Sequence, residues 1–150
     1  MSKTLSTTDA ELFLKQFPDL SEKQLKKLEE RVVALYQDSI ELVERIVKNG
    51  FTEDFKDINP KEWIRFITQM MVKVDKVRGI RGNEKEELLL MFIIFIIVKH
   101  LPINPILKEL LIMILREFTP EIVEGIIYAT KKMHTFSSKL LKYLKKLICH

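Results

Sequence analysis

Two hydrophobic patterns dominate the chain. From Leu88 to Val98 every position is apolar. A helix through that run has no polar face, so neighbours must cover it on all sides. From Leu25 to Ile46 the apolar residues instead recur at alternating steps of three and four. They are Leu25, Leu28, Val32, Leu35, Leu42 and Ile46, with Ser39 as a small polar interruption. Such a heptad stripe on an otherwise charged helix predicts either a bundle helix burying one face or an association stripe between chains.

Start and stop signals divide the rest. Thr8-Asp9-Ala10-Glu11 and Ser21-Glu22-Lys23-Gln24 have the form of capping boxes. The first opens a short helix that Pro18 stops. The second opens a long helix that runs to Asn49-Gly50, where the glycine predicts a left-handed cap. Phe51 to Ile58 reads as irregular. Asn59-Pro60-Lys61-Glu62 starts a third helix, with Trp63, Phe66, Ile67, Met70, Val74 and Val77 on one side and Gly79 and Gly82 at its end. Asn83 with Glu86 caps the apolar helix, which Pro102 ends. Asn104-Pro105 and Thr119-Pro120 each predict a further start. Finally, Ser137 to Ile148 is amphipathic, with Leu140, Leu141, Leu144, Leu147 and Ile148 opposed to Lys139, Lys142, Lys145 and Lys146. No stretch alternates with period two. The expected fold is all-α: a single domain over residues 1–150, about seven helices around the central apolar one.

Composition supports that expectation. A chain of 150 residues with 47% apolar and 31% charged residues suits one globular domain. The apolar run is shorter than the roughly 20 residues a membrane span needs, and charges flank it at Glu84 to Glu87 and at Lys99. A second apolar run, Ile106 to Leu115, is interrupted by Lys108 and Glu109. Both runs are read as core, and no membrane partner is expected. The N-terminus has no secretory h-region and Cys149 is the lone cysteine, which fits a reducing, cytoplasmic setting.

Candidate chemistry is sparse. His100, His134 and His150 have no His or Cys at helical ligand spacing, and neither a dinucleotide nor a phosphate-loop glycine motif occurs. Glu84, Glu86 and Glu87 complement a helix N-terminus rather than forming a catalytic pair. Gly79-Ile80-Arg81-Gly82 could hold an anion, but those same glutamates oppose it. The methionines Met70, Met71, Met91, Met113 and Met133 read as core. No catalytic residue, cofactor or metal ligand is expected, and the enzyme class falls away. The net charge of +4 is uneven, with Lys139, Lys142, Lys145 and Lys146 forming a candidate interaction face. Lysines without arginines would attract phosphate but not read sequence, so nucleic acid is the weaker partner class.

The stretches FITQMMVKVDKVRGIRGNEKEELLLMFI and ILKELLIMILREFTPEIVEGIIYATKKMH resemble small uncharacterised α-helical proteins of large eukaryotic (nucleocytoplasmic) DNA viruses. The matching positions are Val74, Val77, Gly82, Glu84 and Lys85, then Ile122, Val123, Ile126, Ile127 and Lys131. That resemblance covers about half the chain and implies a virion-associated or host-cytoplasmic helical protein. It transfers no functional residue. A central apolar helix wrapped by amphipathic ones is also similar to apoptosis regulators of the Bcl-2 class, which bind a partner helix in a groove. Their Asn-Trp-Gly-Arg signature is absent; Trp63 stands in Lys61-Glu62-Trp63-Ile64-Arg65. The sequence therefore predicts a non-enzymatic protein–protein interaction protein whose partner is a second copy of itself, in a homo-oligomer, or a host or viral protein. The contact would use the heptad stripe or a Met/aromatic surface around Trp63. The alternatives are a Bcl-2-like groove module and a non-specific nucleic-acid contact through the C-terminal lysines.

Overall fold

A computed structural model describes residues 7–77, 79 and 82–133. It contains six helices among them: α1 (Thr7–Lys15), α2 (Glu22–Asp38), α3 (Ile40–Asn49), α4 (Pro60–Asp75), α5 (Gly82–His100) and α6 (Pro105–Met133). No strand occurs among the described residues; one antiparallel bridge joins Phe51 to Ile58 across the α3–α4 loop. The all-helical expectation holds, but the divisions between helices differ in two places.

The long helix expected from Glu22 to Asn49 breaks at Ser39, which leaves helical geometry at φ −134° and ψ 23°. Ser39 is buried, and its hydroxyl has no partner. The break orphans the Asp38 carbonyl, and Lys73 Nζ from α4 donates to it at 3.0 Å. Conversely, the two helices expected on either side of Thr119-Pro120 are one. Proline removes the amide that would bond the Arg116 carbonyl, a cost of about 3 kcal/mol in a helix interior. The helix runs on because Leu115, Thr119 and Val123, spaced by one turn, are all buried on the same face. The seventh expected helix, Ser137 to Ile148, lies outside the described residues.

Two other local expectations are replaced by different physics. Gly50 is not left-handed, at φ −82°. Its missing side chain is needed for space, since a Cβ there would sit 2.4 Å from the Ile46 carbonyl oxygen. Asn59 precedes Pro60 at the start of α4 but does not cap with its side chain. Its Nδ2 donates instead to the carbonyls of Asn49 and Phe51 at 2.8 and 2.9 Å, while Trp63 Nε1 donates to that of Gly50 at 2.7 Å. The loop between α3 and α4 is thereby pinned to the indole. The Ser21–Gln24 capping box forms as expected, in both directions.

α5 contacts each of the other five helices. Between Leu88 and Val98 every side chain is buried except Leu90, which is half-buried. An all-apolar helix has been given an all-round jacket with one thin place. One core cluster runs from Leu12 in α1 to Val123 in α6. Among the described residues, no helix is long and apolar enough to cross a membrane.

A buried lysine ties α1, α5 and α6 together at one point. Lys108 is 7% exposed, inside the apolar start of α6. Its Nζ donates to the Val98 carbonyl at 2.6 Å and pairs with Asp9 Oδ1 of α1 at 3.0 Å. The need for this donor follows from the sequence. In an uninterrupted helix the Val98 carbonyl would accept from the amide of residue 102, which is a proline and has none.

Candidate interaction surface

The heptad stripe is spent inside the chain. Leu28, Val32, Leu35 and Ile46 are buried, and Leu25 and Leu42 are half-buried against the same core. The break at Ser39 also divides the stripe between two helices, so it presents no continuous seam to another chain. Trp63, placed at the centre of an expected contact surface, is 0% exposed and surrounded by Phe51 and Phe66. Of the methionines read as core, Met70 and Met91 are buried and Met71 is half-buried. Met113 is not buried. The lysine face of Lys139, Lys142, Lys145 and Lys146 lies outside the described residues, as do His134 and His150.

What the structure does expose along the first half of α6 is an apolar strip, while Leu14, Ile40 and Val72 stand exposed elsewhere and Ile127 and Tyr128 further along the same helix. Ile106 is 78% exposed, Leu110 40% and Met113 63%. Their spacing, i, i+4 and i+7, sets them on one ridge of the helix. The opposite face is already satisfied, with Leu111, Ile112 and Leu115 in the core. Beside the strip, Glu109 is neutralised within the chain by Lys15 of α1 at 2.9 Å. Further along the same ridge the character changes. Glu117, Glu121 and Glu124 are exposed and have no ion-pair partner among the described residues. The ridge is apolar from Ile106 to Met113, acidic from Glu117 to Glu124, and apolar again at Ile127 and Tyr128.

The sequence carried a signal for this strip. Ile106 to Leu115 is apolar almost all round, with Lys108 and Glu109 as its only polar residues. The coverage argument that makes α5 central applies here too. α6 lies at the edge of the bundle, so its surplus apolar residues face outward.

Other features offer less. A shallow cleft of about 520 Å³ between the ends of α2 and α4 is lined by Arg31, Gln37, Asp38, Lys73 and Lys76 as well as Leu35 and Val77. The lining is mixed, with charged and amide side chains set among Ala34, Leu35 and Val77, whereas a partner helix docks its apolar face into a hydrophobic groove. Lys73 is already engaged with Asp38. No group of His, Cys, Asp and Glu suited to a metal occurs among the described residues. His100 stacks on Tyr36 with ring centroids 4.9 Å apart, and its Nε2 is buried without a partner. Burial, and then the neighbouring Lys99 charge, hold its pKa below the usual histidine value.

Compared with protein families, curated proteins and solved structures, the chain matches none.

Proposed function

We propose that this chain is a non-enzymatic helical protein–protein interaction protein that associates with copies of itself through Ile106, Leu110 and Met113. The observation that carries this reading is the exposure of three large apolar side chains on one ridge of α6, opposite the face that packs into the core. Exposed apolar strips of this kind mark contact surfaces. Two copies related by a two-fold axis through Leu110 would set Ile106 of one against Met113 of the other. The nearest carboxylate, Glu109, is paired with Lys15, so like charges are not forced together.

Three side chains cover much less than the roughly 800 Å² per partner of a standard interface. The contact is therefore reversible and concentration-dependent. Weak contacts repeated over many copies add by multivalency, and a structural role in a virion, implied by the viral resemblance, is the use we propose for it. Light scattering on a sizing column, over loading from about 10 µM to about 1 mM, tests the reading across the weak-affinity range. The mass of the wild type rises with loading, and that of a Leu110→Glu variant stays at one chain. A wild type that stays at 17.7 kDa throughout overturns it.

A further inference from the structure

The cleft between the ends of α2 and α4 does not suit a partner helix, but its charges suit a different ligand. On α2, Arg31, Leu35 and Asp38 stand at i, i+4 and i+7; at the end of α4, Lys73, Lys76 and Val77 stand at i, i+3 and i+4. Both sets line one cavity of about 520 Å³, inside the roughly 300–1,000 Å³ range of small-molecule sites. It shares no residue with the α6 strip and does not depend on that reading. Lys73 has a use in the fold, donating to the Asp38 carbonyl at 3.0 Å and lying 3.5 Å from its carboxylate. Arg31 and Lys76 have none. Neither has an ion-pair partner among the described residues, and Arg31 Nε is buried without a hydrogen bond. A buried charged donor is costly to leave unpaired, and a bound anion is one way to satisfy it. The helix dipole does not explain the arginine, because Asp38 ends α2 and Arg31 lies about two turns inside it. One turn earlier, Lys27 engages the nearby Glu84 at 3.9 Å. The chain also leaves room for the guanidinium. Gly79 has φ +83°, and a Cβ there would come 3.1 Å from Arg31 Nη2.

We infer that this cleft binds a small organic phosphate monoester, with the phosphate held by Arg31 and Lys76. The third cation, Lys73, is paired with Asp38, the one carboxylate of the lining, which leaves a surplus of two positive charges. A phosphate monoester carries about −1.5 to −2 at pH 7 and matches that surplus. The guanidinium fork fits two phosphate oxygens, and the Lys76 ammonium adds a point charge beside them. Ala34, Leu35 and Val77 supply an apolar wall for the organic part.

Backbone-amide NMR of the isotope-labelled full-length chain provides the test, with adenosine monophosphate, inorganic phosphate and adenosine as probes at ionic strength matched with sodium chloride. Adenosine monophosphate shifts the amides of residues 31–38 and 73–77 with a Kd below about 1 mM. Inorganic phosphate shifts the same set several-fold more weakly, and adenosine leaves it in place. Arg31→Gln and Lys76→Gln each weaken binding of the monophosphate about tenfold, while the rest of the spectrum reports that the variant is folded. Lys15→Gln, which removes an exposed positive charge on α1, has no effect. No shift in this set up to about 10 mM monophosphate, adenosine binding as tightly as the monophosphate, or equal losses in Arg31→Gln and Lys15→Gln would each overturn the proposal. Inorganic phosphate binding as tightly as the monophosphate would overturn the contact with the apolar wall. Pelleting with vesicles of phosphatidylcholine and phosphatidic acid, without a response to the soluble monophosphate, would overturn the proposal in favour of a lipid surface.

Discussion

At the scale of single residues, the buried polar groups define the fold more sharply than the apolar ones. Lys108 serves a carbonyl that Pro102 leaves without a donor, and it holds Asp9 of α1 at the same time. Removing one partner of a buried charged pair typically costs about 3–5 kcal/mol. Asp9 retains some solvent contact, so Lys108→Ala is expected to destabilise by about 3 kcal/mol, measured by urea denaturation. His100 gives a pH dependence. Its folded-state pKa lies below 6.5 because burial and Lys99 disfavour the imidazolium. As pH falls below the unfolded value, the unfolded chain takes up the proton first. Stability is thus full above about pH 7 and falls as pH drops toward 5, and a His100→Phe variant loses that slope. An unchanged slope in the variant would show that the histidine is not its source.

At the scale of elements, the positions of the helices were legible and their divisions were not. Capping boxes and prolines mark where a helix starts, and Ser21 and Asn104 do bond the amides expected of caps. The divisions are decided by burial, which sequence alone does not disclose. Ser39 looks like a tolerable interruption of a heptad stripe, yet it ends α2 because Lys73 can reach the carbonyl the break exposes. Pro120 looks like a start, yet α6 continues through it because residues one turn to either side are anchored in the core. The proline is therefore a strain the helix tolerates. Pro120→Ala restores the amide to the Arg116 carbonyl and is expected to stabilise by about 1–3 kcal/mol, read as a higher melting temperature. A lower melting temperature would mean that the ring packs usefully where it stands.

At the scale of the whole molecule, the coverage rule explains both what is central and what is exposed. α5 is apolar all round and touches every other described helix. The first half of α6 is nearly as apolar but has neighbours on one side only, leaving Ile106, Leu110 and Met113 outward. The sequence pointed to a different surface, the stripe from Leu25 to Ile46, because a heptad pattern does not say whether its partner is another chain or the same one. Here α5 supplies most of that partner.

The measurement that decides between the two surfaces is a dilution series followed by methyl NMR of the isoleucine, leucine, valine and methionine side chains. We predict that Ile106, Leu110 and Met113 shift together with concentration and that Leu28, Val32, Leu35 and Ile46 do not move. Shifts confined to the Leu28-to-Ile46 set, or none at all up to about 1 mM, would contradict the assignment of α6 as the contact surface.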